Sequence, residues 1–376
     1  MLTPAHSLDC EFTLALNNRT GKYFFCKDMI DASRDLIRTC YYWRAPIDEL
    51  PPKIIARILG RLARIEVFLR VRWLSSNQIL PPILHRRAMV FTDPRECVLY
   101  RIKPCDVVLC HDMGPLTHSE FYHPGVREIY ARAFDQIKIA KPFLLFVSAA
   151  SRDDFIKLYG SDFPLLQVIH IPLRKGLQRH NEQSVSGVPA KFFLTVGSLG
   201  ARKNQARSIK AFETSGLAKE GFAYVICGGP EAGADQVVAL AQQSAGVVLT
   251  GYVNDEQLRW LYRNAQGFVL PSLLEGFGLP AAEAISYGLV PLLAPGGALQ
   301  EVAGDAAVYV NPLDIADIAA GLVKLAHMTP EEHDRRLAHL RLNIKQFSLE
   351  TATSTWRSTL KLAIASSANL AKVAGR

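Results

Sequence analysis

In the C-terminal half of the chain, short apolar runs alternate with longer stretches whose apolar residues recur at three-and-four spacing. The runs KFFLTVG, FAYVICGG, GVVLTG, GFVLPS and LVPLLAP, each closed by Gly, Pro or Ser, read as strands. Between them, Asn204 to Phe212, Asp255 to Asn264, Ala281 to Tyr287 and Ile315 to Ala326 read as helices. This alternation predicts a parallel sheet with helices on both faces, a doubly wound α/β domain. In such sheets ligands sit outside the carboxyl ends of the strands.

The N-terminal half is patterned more weakly. CDVVLC, PFLLFVS and LLQVIHI are short buried-strand candidates, separated by helical stretches such as Val126 to Ile139 and Arg152 to Tyr159. They predict a second α/β domain. From Ile171 to Ala190 the text turns polar and turn-prone, as suits an exposed connection, and the boundary is placed near Gly187. The expected division is 1–186, 187–348 and a terminal segment 349–376. No internal repeat or low-complexity tract is present.

A length of 376 residues with 49% apolar content suffices for two ordinary cores and excludes a disordered or fibrous chain. No apolar run approaches the roughly 20 residues of a spanning helix, and MLTPAHSLDCEF lacks the order of a signal peptide, so a cytoplasmic location is expected. The seven cysteines include no C-x-x-C pair, which argues against a disulfide framework or a structural zinc site and for reduced, buried thiols. The net charge of +8 is concentrated: Lys53 to Lys103 holds eleven Lys and Arg against Glu66, Asp93 and Glu96, and the rest of the chain sums to zero.

Candidate chemistry gathers in PSLLEGFGLPAAEAISYG, Pro271 to Gly288, where a strand ends, a glycine loop follows and a helix opens at Pro280. The N–H groups of Gly278, Leu279 and the first turn point outward with the positive end of the helix dipole, a seat for phosphate. Glu275 and Glu283 frame this loop. An ionised carboxylate accepts two hydrogen bonds from vicinal hydroxyls, so both suit sugar or ribose. The alternative is that Glu283 complements the helix dipole and Glu275 caps a turn.

A second cluster, GSLGARKN, again joins a strand end to a glycine loop and a helix. It places Arg202 and Lys203 at the same sheet edge, where fixed cations stabilise a leaving diphosphate. Gly228 with Gly229, and Gly251 with Tyr252, end the neighbouring strands, although turns need glycine in any case.

Taken together, TVGSLGARKN, ICGGP, GYVNDEQLRWLY, PSLLEGFGLPAAEA and EVAGDAAVYVNP resemble, in order and spacing, the retaining group 1 glycosyltransferases of the GT4 type. CHDMGPLTH, LFVSAASRDDF and VIHIP extend the resemblance more weakly into the first half. It implies the GT-B fold, two Rossmann-like domains facing each other across a cleft. It also implies that Arg202 and Lys203 hold the diphosphate, that the Gly278 and Leu279 amides hold phosphate, and that Glu283 holds the ribose and Glu275 the transferred sugar. Gly228 and Tyr252 complete the donor edge. The histidine facing the donor sugar corresponds to His111 in HDMGPLTH, and the first glycine loop to Thr20 and Gly21 in NNRTGKYFF. The last helix, Leu349 to Ala363 with Trp356, is expected to return to the first domain. Two departures stand out: Ser198 occupies a loop where some members carry a further arginine, and Leu173 replaces the usual asparagine-glycine.

The sequence contains no D-x-D pair, so a carboxylate-bound Mg²⁺ has no obvious ligands and metal-independent catalysis without a cofactor is expected. The resemblance implies a GDP-sugar or UDP-sugar as donor, and the RKN form of the loop resembles that of enzymes using mannose on GDP, which makes that donor the expected one. Lys53 to Trp73 carries Ile54, Ile55, Ile58, Leu59, Leu62, Ile65 and Leu69 on one face and Arg57, Arg61 and Arg64 opposite. This is either a helix lying on anionic lipid, which suits a lipid-linked acceptor at the inner face of the cytoplasmic membrane, or a helix covering the first sheet. The expected activity is retaining hexosyl transfer to a glycan or lipid-linked acceptor in lipopolysaccharide or cell-surface polysaccharide synthesis. Rival readings are a nucleotide-sugar epimerase or phosphorylase, and a non-catalytic partner subunit. Nucleic-acid binding is not expected, because the basic segment matches no recognised module.

Overall fold

The computed structural model describes residues 7–17, 21–47, 49–72, 81–231 and 233–374. The chain forms two compact units, 1–172 together with 349–376, and 173–348.

The first unit is built on a seven-stranded sheet. Its strands are β1 (Leu8–Glu11), β2 (Ile37–Tyr42), β3 (Ala45–Pro46), β4 (Met89–Phe91), β5 (Val107–Cys110), β6 (Phe143–Phe146) and β7 (Leu166–Val168). The order is β3-β2-β1-β4-β5-β6-β7, with every pairing parallel except the antiparallel β2/β3 edge. The apolar runs expected as strands are β5, β6 and β7. β1 and β4 escape an apolar-run reading for physical reasons. β4 has only three residues, and β1 buries Asp9 and Glu11 in its four-residue span. Asp9 lies 3.5 Å from Arg87, and Glu11 accepts from the Thr13 amide at 3.0 Å, so neither acid is left without a partner.

The terminal helix Leu349–Ala374 belongs to this unit. Trp356, Leu360 and Ala363 are fully buried, and Arg357 donates to the Ala32 carbonyl at 2.8 Å and to Asp35 at 2.5 and 2.7 Å.

The Lys53–Arg72 helix packs through an unexpected stripe. Its buried residues are Ala56, Gly60, Ala63, Glu66 and Arg70, with Val67 and Val71 packed partly against the core, rather than the isoleucines. Glu66 accepts from Trp43 Nε1 at 2.7 Å, from Arg44 Nε at 3.1 Å and from Arg70 Nε at 2.9 Å, which fastens the helix by charge-assisted bonds. Ile54 (73% exposed), Ile55, Ile58, Leu62, Ile65 and Leu69 face outward, as do Arg57, Arg61 and Arg64, while Leu59 is half-buried. The two faces expected to oppose each other are therefore both in solvent. Trp73 lies outside the described residues.

The second unit carries a six-stranded, wholly parallel sheet. It comprises β8 (Phe192–Val196), β9 (Ala223–Cys227), β10 (Val247–Gly251), β11 (Gly267–Leu270), β12 (Pro291–Leu293) and β13 (Val308–Tyr309), in the order β10-β9-β8-β11-β12-β13. β8 to β12 are the apolar runs of the sequence, whereas β13 is too short to announce itself. The order runs outward from β8 in one direction and resumes at β11 in the other, so β8 and β11 flank a topological switch point, the place where doubly wound sheets bind ligands.

The sequence boundary near Gly187 shifts to Leu173. The polar stretch after Pro172 is not a free linker: Arg259 donates to the Gly176 and Asn181 carbonyls at 2.7 and 2.6 Å, and Arg263 pairs with Glu182 at 2.6 Å. From residue 179 to 190 the stretch is mostly exposed, as expected, but bonds to the Asp255–Asn264 helix fasten it within the second unit. All seven cysteines are buried free thiols. Among the described residues, no helix is long and apolar enough to cross a membrane.

Candidate active site

The switch point of the second sheet collects the charged residues singled out in the sequence. β8 ends at Val196, and the chain turns through Gly197 to Gly200 into a short 3₁₀ turn, Ala201–Lys203. Asn204 adopts a left-handed conformation (φ 61°) and donates to the Pro271 and Pro312 carbonyls at 3.0 and 2.6 Å. Those bonds tie the loop after β8 to the loop after β11 and bring Lys203 to Glu275.

Lys203 Nζ lies 2.5 Å from Glu275 Oε1, the Ser272 hydroxyl donates to the same oxygen at 2.8 Å, and Arg202 Nη1 is 3.9 Å from Oε2. Burial would raise the Glu275 carboxyl, but Lys203 and Arg202 outweigh it and hold the group below its ordinary range. Burial pulls the Lys203 ammonium below its own usual value against the attraction of Glu275. Arg202 also lies 3.2 Å from Glu231, whose carboxylate accepts from Ser198 at 2.6 Å. Glu231 and Ser272 were not singled out in the sequence, because a loop carboxylate and a serine carry no pattern until the strand ends converge.

The helix Leu279–Ser286 opens at Gly278 (φ 94°), with Pro280 in its first turn and no side-chain cap. The first amides of a helix have no acceptor within it, so the Gly278 and Leu279 N–H groups stand at the positive end of the dipole. Gly228 follows β9 with φ 155°, and a Cβ there would lie 1.9 Å from the Gly197 carbonyl oxygen. Only glycine lets the two loops approach so closely. Tyr252, just past β10, is 82% exposed at the same sheet edge.

Glu283 lies further along the Leu279–Ser286 helix. It is 2% exposed and is not joined to the Lys203 pair. Arg174 Nε donates to its Oε1 at 2.5 Å, and the Tyr262 hydroxyl donates to Oε2 at 2.9 Å. Arg174 went unnoticed in the sequence, since it sits in the stretch read as a linker. A cavity of about 510 Å³ opens beside this pair, lined by Leu173, Arg174, Leu177, Tyr287 and Glu283 among others. That volume is within the range of small-molecule sites.

In the first unit, His111 follows β5 and is buried. Its Nε2 lies 2.9 Å from the Thr92 carbonyl, which makes Nε2 the donor and Nδ1 a lone-pair acceptor with no partner among the described residues. Burial, followed by the nearby Lys22 charge, lowers the imidazole to about 4 despite Asp93, so it is neutral at pH 7. Gly21 opens the helix Gly21–Asp31, while Thr20 lies outside the described residues. No group of three or more His, Cys, Asp or Glu is placed to hold a metal ion among the described residues.

Residues 178–339 match the family model described as glycosyl transferases group 1. That match, together with the mannosyltransferase relatives, supports a group 1 glycosyltransferase.

The transferase is 28% identical over 273 residues to O-antigen chain mannosyltransferase B of Escherichia coli, covering 68% of this chain and 70% of that one. It is 30% identical over 280 residues to the serotype-specific mannosyltransferase WbdA of Escherichia coli, covering 69% of this chain but only 32% of the longer relative. Among solved structures, an α,α-trehalose-phosphate synthase (UDP-forming) from Burkholderia vietnamiensis superposes with a TM-score of 0.60 at 15% identity, covering 94% of this chain and 83% of that chain. The likeness establishes a GT-B-like α/β fold for the transferase.

Proposed function

We propose that the transferase moves a hexose from a nucleotide diphosphate sugar to a glycan or lipid-linked acceptor in lipopolysaccharide or polysaccharide synthesis. The observation that carries this reading is the convergence of Lys203, Arg202 and the Gly278 and Leu279 amides at one sheet edge, beside the buried Glu275. Cations and oriented amides at that edge stabilise a diphosphate as it gains charge, without a resident metal. Glu275 faces the sugar hydroxyls, and Glu283 faces the ribose. His111, neutral and with an Nδ1 that has no partner among the described residues, accepts a hydrogen bond from the sugar. Gly21 and Tyr252 are assigned to donor contact. Mannosyltransferases among the relatives support a mannose donor, and the RKN loop favours GDP over UDP.

The transfer retains anomeric configuration. The bond from the anomeric carbon to the phosphate oxygen breaks while the acceptor oxygen attacks from the same face, and the acceptor proton passes to the departing phosphate. The protein positions the reactants and neutralises charge.

The exposed apolar residues of the Lys53–Arg72 helix, interleaved with Arg57, Arg61 and Arg64, suit an anionic lipid surface, which supports the reading of an enzyme acting at the inner face of the cytoplasmic membrane. Each basic residue near such a surface contributes about 1 kcal/mol.

The test is incubation with GDP-hexose and UDP-hexose in the presence of lipid-linked and free glycans. Nucleoside diphosphate release that depends on acceptor, an α product from an α donor by NMR, and loss of turnover in Glu275→Gln with nucleotide affinity kept support the reading. Interconversion of the donor sugar without acceptor, or full turnover in Glu275→Gln, refutes it.

A further inference from the structure

Glu283 is held more tightly than a carboxylate waiting for two hydroxyls would be. Arg174 donates to it twice, Nε to Oε1 at 2.5 Å and Nη2 to Oε2 at 3.3 Å, and Tyr262 donates to Oε2 at 2.9 Å. The two oxygens of a carboxylate offer about four acceptor positions. Three are taken, and the remaining one is on Oε1.

The clamp itself is fixed. Arg174 Nη1 lies 3.6 Å from Asp255, and its side chain is mostly buried. The Tyr262 ring stacks on Tyr287 with centroids 5.3 Å apart, and the Tyr287 hydroxyl donates to the Leu177 carbonyl. Rotation of Glu283 to present both oxygens would break a forked, charge-assisted pair in a buried place, where a carboxylate left alone is costly. Glu283 lines the 510 Å³ cavity, as do Arg174 and Tyr287. Glu283 lies five residues beyond Gly278, about 7.5 Å along the helix axis from the phosphate-seating end.

We propose that Arg174 is a positioning residue for the donor: it fixes Glu283 so that the carboxylate reads one ribose hydroxyl rather than gripping the vicinal pair. The inference rests on the reading above that Glu283 takes the ribose, and it adds how the ribose is read and which residue sets it. Lysine cannot replace the fork, because an ammonium is a single point of charge.

The experiment is calorimetric titration of GDP and UDP, and of their 2′-deoxy and 3′-deoxy forms, into wild type, Arg174→Lys, Arg174→Ala and Lys203→Ala. Wild type is expected to lose about tenfold or more in affinity for one deoxy form and to bind the other within about twofold of the ribonucleotide, as for loss of a single bond to a charged group. Arg174→Ala is expected to weaken the ribonucleotide about tenfold, to bind all three forms alike, and to raise donor KM while kcat at saturating donor is kept. Arg174→Lys falls between.

Equal losses for both deoxy forms in wild type would mean that the vicinal pair is gripped, and would overturn the proposal without any variant having to fold. So would an unchanged ribo-to-deoxy ratio in Arg174→Ala or Arg174→Lys. The functional reading fails differently: no nucleotide binds wild type, or Lys203→Ala binds as tightly as wild type.

Discussion

Lys203 and Glu275, 72 residues apart in sequence, meet at 2.5 Å where the loops after β8 and β11 converge. Each is nearly inaccessible to solvent, so neither charge is tolerable without the other. Lys203→Met is expected to cost about 3 to 5 kcal/mol, because it leaves a buried carboxylate unpaired. The double variant Lys203→Met/Glu275→Gln should recover most of that stability and none of the turnover. Urea denaturation and an activity assay on the three proteins check this. Recovery of both, or of neither, contradicts it.

The buried acids of the first unit make stability depend on pH. Glu11 is pushed up to about 7, chiefly by burial, and shares a hydrogen bond with Glu96, which burial and Glu11 also raise. The folded state then holds a proton that the unfolded state gives up near its ordinary value of 4.5. Stability therefore falls as pH rises from about 4.5 to about 7, by up to roughly 3 kcal/mol. Glu11→Gln, which mimics the protonated acid, should flatten that slope. Denaturation midpoints from pH 5 to 8 read it, and an equal slope in both proteins counts against the shared proton.

His111 acts in the opposite sense. With its pKa lowered from 6.5 to about 4, the folded state binds fewer protons than the unfolded state between those values. Its contribution is complete above pH 6.5 and is lost as pH falls towards 4. NMR titration of the imidazole carbons should show no protonation of His111 at pH 6. A midpoint near 6.5 would contradict the buried neutral assignment.

Gly228 sits too close to the Gly197 carbonyl for any side chain. Gly228→Ala must shift the loop that carries Arg202 and Lys203, and is expected to lower both thermal stability and donor affinity. Wild-type values in a melting curve and a titration would show that the loops separate freely.

For the Lys53–Arg72 helix, vesicle flotation separates the possible partners of its exposed face. Binding to anionic but not zwitterionic vesicles is expected, with loss in Arg57→Glu/Arg61→Glu/Arg64→Glu and in Ile54→Ser/Ile58→Ser/Ile65→Ser. Vesicle binding unaffected by these changes, or no vesicle binding with concentration-dependent self-association, removes the lipid assignment.

The second sheet was legible because each of β8 to β12 is an uninterrupted apolar run ending in a turn residue, and its edge because Lys203, Glu275 and Gly278 each follow such an end. Arg174 and the unit boundary were not legible. Bonds such as the Arg259 hydrogen bond to the Asn181 carbonyl and the Arg263–Glu182 ion pair make a polar stretch structural, and nothing in local composition distinguishes that from a linker. β1 was hidden by Asp9 and Glu11, whose burial depends on partners distant in sequence. The apolar face of the Lys53–Arg72 helix was legible, but not which side packs: Ala56, Gly60 and Ala63 allow the closer approach and leave the isoleucines outside, against the alternative of an apolar face covering the sheet.

The central claim is that Lys203 and Arg202 seat a diphosphate at the β8/β11 switch point. Calorimetric titration of GDP and UDP into wild type, Lys203→Ala and Arg202→Ala tests it most directly. Binding below millimolar in wild type that weakens about tenfold or more in each variant is the expected result. Nucleotide binding of equal strength in all three proteins would place the diphosphate elsewhere and contradict it.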